Sequence, residues 1–248
     1  MRRILPKYTQ ICLQDEASAQ LLKGINITNT SVCGDTRFDR VVDIRNQAKS
    51  LDLVEAFATK AKEEGEKIIV AGSSWPKDED IFIPYFNINT DVKLIIAPHE
   101  IDEAHLKYIE SNLQRPHIRY SKASWEDMSK YDCLIIDSFG LLSSIYRYGQ
   151  VAYVGGGFGV GIHNILEAAV YGVPIIFGPN FKKFREAQEL IEQGGAYSIA
   201  DNQSFRGLVD EFFEYDNILQ NAGNNAGKYV SSNTGVVKKV MNILFEKK

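Results

Sequence analysis

Apolar residues recur along this chain in two rhythms. Six compact runs, at residues 68–71, 94–97, 118–120, 133–136, 151–154 and 174–177, are continuous rather than alternating, and a weaker seventh lies at 196–199. Continuous apolar runs of this length predict strands buried on both faces. Between most of them, residues 80–88, 102–113, 141–148, 164–171 and 182–193 show helical spacing. Strands alternating with helices predict an α/β fold: a Rossmann-like parallel sheet of about six or seven strands with helices on both faces.

The flanks read differently. Residues 44–64 predict a helix with Leu51, Val54, Phe57, Ala58 and Ala61 on one face, stopped by Gly65. Upstream, a short strand (10–13), a helix (15–22, with Asp15 as N-cap and Gly24 as stop) and a second strand (31–33) form a β-α-β piece too small for a domain. Residues 1–36 are therefore expected to be the end of a larger unit plus a linker, with the polar GDTRFDRV (34–41) as connector and 37–248 as the main domain. The tail, 204–248, predicts two or three helical pieces broken near Gly223 and Asn233.

Composition changes this picture little. With 44% apolar and 24% charged residues, the chain reads as an ordinary soluble globular protein. A net charge of −4 argues against a nucleic-acid partner, since backbone binding needs a basic footprint. The three cysteines (Cys12, Cys33, Cys133) are odd in number and widely spaced, which predicts reduced, buried thiols and a cytoplasmic location. No apolar core follows the basic start MRRILPKY, and no run reaches the ~18 residues of a membrane span.

The chemistry is concentrated at 153–180, YVGGGFGVGIHNILEAAVYGVPIIFGPN. A strand is expected to run into five glycines (Gly155, Gly156, Gly157, Gly159, Gly161) and then into a helix carrying His163, Asn164 and Glu167 in its first turn. Free backbone N–H groups and a helix N-terminus suit an anion such as phosphate. Glu167, three residues after Asn164, is suited to accept from a ribose diol; its plainer reading is an acid favoured by the helix dipole. Other strand ends carry Gly72, Ser73 and Ser74, then Ala97, Pro98 and His99, then Asp137, Ser138, Phe139 and Gly140, and all should meet beyond the C-terminal edge of the sheet. Helix capping is the plainer reading of Ser73, Ser74, His99 and Asp137. The loop fails the G-x-G-x-x-G dinucleotide pattern, lacks a Walker lysine, and no metal-ligand spacing is present.

Taken together, these residues resemble the C-terminal half of the bacterial 3-deoxy-D-manno-octulosonic acid (Kdo) transferases, GT-B glycosyltransferases of lipopolysaccharide assembly. The carrying segments are QDEASAQLLKGI (14–25), GDTRFDRV (34–41), GSS (72–74), DSFGLLSSIYRYGQVAYVGGG (137–157) and HNILEAAVYGVPIIFGPNFKKF (163–184). The family's H-N-P-L-E falls on His163–Glu167 with Ile165 for the proline; Leu141 stands for the glutamate of D-T-x-G-E-L, and Pro98 for the arginine of P-R-H-P. The resemblance implies a CMP-Kdo donor held by Ser73, Ser74, Ala97, Pro98, His99, Phe139, Gly140, Leu141, Gly156, Gly157, Asn164, Ile165, Leu166 and Glu167. It implies an inverting, metal-independent transfer of Kdo to a lipid A precursor, with no cofactor. The base is expected to be a glutamate of an N-terminal domain, so that no catalytic residue lies in this chain and the chain alone is inactive. That domain would reach the acceptor and dock the intact enzyme on the cytoplasmic face of the inner membrane. Two other readings stay open: a GT-B enzyme using a UDP- or GDP-sugar, and a non-catalytic nucleotide-binding module.

Overall fold

The computed structural model describes residues 2–48 and 50–245. In chain order the elements are β1 (Ile11–Leu13), α1 (Glu16–Lys23), β2 (Thr30–Val32), α2 (Arg37–Gln47), α3 (Asp52–Glu63), β3 (Lys67–Ser74), α4 (Pro76–Ile88) and β4 (Val92–Pro98). There follow α5 (Glu103–Asn112), β5 (His117–Arg119), β6 (Cys133–Ile135), α6 (Leu142–Ile145), β7 (Val151–Val154), α7 (Leu166–Ala169), β8 (Ile175–Phe177) and α8 (Arg185–Glu192). The chain closes with β9 (Ala196–Ser198), α9 (Asn202–Glu214), α10 (Asp216–Ser232) and α11 (Val236–Phe245).

Among the described residues the strands form two parallel sheets, β1-β2 and a seven-stranded sheet ordered β5-β6-β4-β3-β7-β8-β9. All seven predicted runs are strands of the larger sheet. Successive side chains on a strand point to opposite faces, so Ile68 and Val70 of β3 enter one core, with Phe57 of α3, Leu166 of α7 and Tyr229 of α10. Ile69 and Ala71 enter the other, with Phe82 and Phe86 of α4, Ile109 of α5 and Phe205 of α9. Coverage on both faces is what makes the strand sequences continuously apolar. Strand order reverses at β3: the chain passes outward through β4, then returns to β7 on the opposite side. The β3/β7 junction is thus the switch point where an open parallel sheet leaves a crevice.

Four local expectations are corrected. The segment expected to be a connector carries α2, because Phe38 and Val41 lie one turn apart and both reach the core. α4 begins at Pro76 rather than at residue 80: Pro76 supplies a preset φ, and the Asp78 carboxylate accepts from the Trp75 N–H at 3.0 Å. Gly223 does not break a helix but lies inside α10. A Cβ there would stand 2.3 Å from the Gly172 carbonyl, so this glycine lets two backbones touch, while the break falls at Tyr215. Of the three free thiols Cys33 and Cys133 are buried, but Cys12, on a strand of the small sheet, is exposed.

No helix among the described residues is long and apolar enough to cross a membrane.

Candidate functional site

The expected helix after the glycine loop is the largest departure at the site. α7 is a four-residue turn, and His163 and Asn164 precede it. So short a stretch aligns too few peptide dipoles to act as an anion-binding terminus. Nor are the glycine amides bare. Gly155 donates to the Gly72 carbonyl at 2.9 Å, Gly159 and Gly161 donate to Gly156 at 2.9 and 3.2 Å, and Gly156 donates to the Asp78 carboxylate at 2.9 Å. The glycines serve close approach instead. A Cβ on Gly155 would lie 2.2 Å from the Ser73 carbonyl oxygen, and one on Gly157 would lie 2.5 Å from the Gly178 nitrogen.

Asp78 organises this region. Its buried carboxylate accepts from the Tyr153 hydroxyl at 2.8 Å, from Gly156 N and from Trp75 N. One side chain therefore ties the end of β7, the glycine loop and the start of α4 together. A buried carboxylate is tolerated because three donors replace its water.

Beside it the ends of β3, β4 and β6 open into a crevice of about 430 Å³. Ser73, Ala97, Pro98, His99, Phe139 and Gly140 line it, together with Ile101, Ile136, Ser138 and Leu142. Six of the fourteen residues expected at the site thus converge on one cavity. Ser73 holds the left-handed φ of +52°, an uncommon conformation for a residue with a side chain. Phe139 is 82% exposed at the rim, and Gly140 supplies a turn at φ +80°. Asp137 is tied back to Ser121, accepting from its N–H at 2.8 Å and from its hydroxyl.

The remaining expected residues are placed otherwise. Ser74 is fully buried and its hydroxyl donates to Glu79 at 2.8 Å, pointing it away from the crevice. Ile165 and Leu166 are core side chains, and Leu141 packs against the same core. Asn164 donates to the Glu167 carboxylate at 3.0 Å and accepts from Leu166 N at 3.2 Å, so it holds the glutamate in place. Burial raises the Glu167 pKa, with the Asn164 hydrogen bond and the Arg40 charge opposing. The charge of Glu167 reaches Tyr146, whose hydroxyl sits against Gly72 at the end of β3.

A group not assigned to the site from sequence is Trp75. Its ring lies 4.7 Å from His99, which in turn stacks on His163 at 4.3 Å, and its indole Nε1 donates to His163 Nε2 at 3.1 Å. Trp75 also lines a second, mostly apolar cleft of about 360 Å³ with Pro76, Gly156, Gly159 and Val160. Its position directly after the strand-end serines was the available signal. His99 does not cap α5; Asp102 does, accepting from Ala104 and His105 N–H at 3.0 Å each. Among the described residues no cluster of His, Cys, Asp or Glu is placed to hold a metal ion.

No protein-family profile matches the chain. Among curated proteins, the 3-deoxy-D-manno-octulosonic acid transferase of Rickettsia prowazekii is 25% identical over 239 residues, 93% of this chain and 50% of that protein. The transferase of the same name from Aquifex aeolicus is 28% identical over 203 residues, 80% of this chain and 52% of that protein. The chain spans about half the length of the curated relatives it matches. Among solved structures, the C-terminal CMP-Kdo binding domain of WaaA from Acinetobacter baumannii superposes with a TM-score of 0.60 at 24% identity, covering 71% of this chain and 98% of that one. UDP-GlcNAc 2-epimerase from Neisseria meningitidis, bound to UDP-GlcNAc, gives 0.67 at 14% identity over 98% of this chain and 63% of that one. Such identities carry the architecture alone, a parallel sheet flanked by helices. Over nearly its whole length the chain is similar in sequence to bacterial 3-deoxy-D-manno-octulosonic acid transferases, and over 71% of it the fold is that of the C-terminal CMP-Kdo binding domain of WaaA.

Proposed function

We propose that these residues form the donor-binding part of a glycosyltransferase that moves Kdo from CMP-Kdo to a lipid A precursor. The observation that carries the reading is the convergence of three strand ends on one crevice of about 430 Å³, in a chain similar to Kdo transferases over 93% of its length. A cavity of this size takes a nucleotide. In this reading the cytidine enters between Pro98, His99 and the Phe139–Gly140 turn, and Glu167, steadied by Asn164, accepts from the ribose hydroxyls. The acceptor hydroxyl oxygen attacks the anomeric carbon of Kdo, the bond from that carbon to phosphate breaks, and CMP departs with the electron pair. The anomeric centre is inverted. The proton of the hydroxyl passes to a base outside the residues described here, so this chain alone binds donor and transfers nothing. The role of the present site is to hold the leaving nucleotide in line, a contribution of geometry and fixed dipoles. The complete enzyme would work on the cytoplasmic face of the inner membrane.

Calorimetric titration with CMP, CDP and UDP tests the reading. CMP should bind at up to millimolar concentration and more tightly than UDP. No CMP binding, or equal affinity for UDP, would favour another nucleotide donor or a different role.

Glu167→Ala should weaken CMP binding by about 1.5–3 kcal/mol, the range for hydrogen bonds to a charged group. The ionised carboxylate is the acceptor and burial raises its pKa. Its contribution is therefore full well above that raised value and is lost as pH falls through it, starting above the usual carboxylate range. Titrations of wild type and Glu167→Gln across pH 4.5–7.5 should converge at the acid end.

A further inference from the structure

An indole N–H can donate a hydrogen bond but not accept one, so the 3.1 Å contact from Trp75 Nε1 makes His163 Nε2 the acceptor. The imidazole proton then sits on Nδ1 and the ring is neutral. The Nε2–Cδ2 edge faces Gly156, where a Cβ would come within 3.0 Å of Cδ2 and 3.3 Å of Nε2. Nδ1 is on the opposite side of the ring and has no protein partner among the described residues. The ring is partly exposed and stacks at 4.3 Å on His99, which lines the crevice. A held ring with one satisfied and one open nitrogen is a preorganised donor.

Resting on the donor-binding reading above, we infer that Trp75 holds His163 as its neutral Nδ1–H tautomer, and that this N–H donates to a phosphate oxygen of the bound nucleotide. Trp75 is then a positioning residue that acts through His163. The groups that bear on the ring's charge are His99, stacked on it from the end of β4, and Asp78 from α4. Burial and His99 disfavour the imidazolium, Asp78 favours it, and the balance lowers the pKa. The donor accordingly keeps one strength through the range in which a free histidine titrates.

Trp75→Phe keeps an aromatic ring at this position while removing the indole N–H together with its five-membered ring. Nitrogen NMR of the chain's four histidines should show His163 as the neutral Nδ1–H form in wild type, remaining so to below pH 6.5. In Trp75→Phe it should become a tautomer mixture that titrates at higher pH. Affinity for CMP should fall roughly tenfold to a hundredfold in His163→Ala, the range for one hydrogen bond to a charged group. In Trp75→Phe it should fall less at pH 8 and recover on acidification, because an imidazolium then forms beside the phosphate. Cytidine, which has no phosphate, should bind all three proteins equally. An Nε2–H tautomer in wild type overturns the inference whatever the variants do. So does CMP binding that neither substitution alters, and in that case the donor-binding reading stands. If wild type binds neither CMP nor cytidine, the donor-binding reading fails and the phosphate contact fails with it, while the spectra still decide the tautomer.

Discussion

Replacing His105 by alanine should cost about 3–5 kcal/mol of folding stability, the range for removing one partner of a buried ion pair. The Glu79 carboxylate is fully buried and His105 is 7% exposed. His105 Nε2 lies 2.9 and 3.0 Å from the two Glu79 oxygens, and Nδ1 lies 3.0 Å from the Glu100 carbonyl. Both neighbours are acceptors, so both ring nitrogens donate and the ring is an imidazolium. Its pKa is raised, chiefly by the Glu79 hydrogen bond, against the opposing effect of burial. A folded-state pKa above the unfolded value near 6.5 means that the stabilisation is complete below about pH 6.5 and is lost as pH rises through the folded value. Urea unfolding of wild type and His105→Ala should therefore give a larger difference at pH 6 than at pH 9. Equal differences would show that the pair is not charged as assigned. Because Ser74 also donates to Glu79, the variant should loosen the end of β3 as well.

The second large effect is expected at the switch point. Gly155→Ala would place a methyl 2.2 Å from the Ser73 carbonyl oxygen and 2.7 Å from Ser74 Cα, all backbone atoms with no rotamer to yield. Ser73 already holds a positive φ, so the strand end has little freedom left. A cost of about 2–4 kcal/mol is expected, typical of overpacking combined with backbone displacement. CMP affinity should fall with it, since Ser73 lines the crevice. Gly159→Ala is the matched control: its nearest neighbour would be 3.5 Å away, in ordinary contact. Thermal unfolding should separate the two by several degrees. Equal stability would mean that β3 and β7 can part at little cost.

The sheet was legible because burial on both faces leaves a one-dimensional trace: Ile68–Ala71 and Val151–Val154 are apolar without interruption. The start of α2 was not, because only Phe38 and Val41 are buried and the charged Arg37, Asp39 and Arg40 stand around them. Gly223 misled for a related reason: a glycine that admits a crossing backbone and one that ends a helix look alike in sequence. At the site, convergence of strand ends followed from topology, and Ser73, Pro98, His99 and Phe139 do line one crevice. The direction of each side chain was not readable. Ser74 alternates to the buried side of its strand, and Trp75 gains its place through a contact with a residue 88 positions away. The glycines were seen, but their purpose was mistaken: they admit neighbouring backbone, while the amides expected to be free are largely occupied by Asp78 and by the loop itself.

The Asp39 carboxylate accepts from Gly235 N at 2.6 Å and from Val237 N at 2.9 Å, joining α2 to the start of α11 across 196 and 198 residues of sequence. During synthesis, α2 leaves the ribosome nearly 200 residues before the start of α11 and must wait for it before this contact can close. With synthesis running at roughly 5–20 residues per second, the delay is about ten to forty seconds. For most of that interval Tyr229, whose ring lies 5.4 Å from that of Phe38, has not been made. The nascent chain thus carries part of this helix face unpaired for longer than the strands of β3 and β4, which meet within a few dozen residues, and that part is covered only when α10 and α11 arrive.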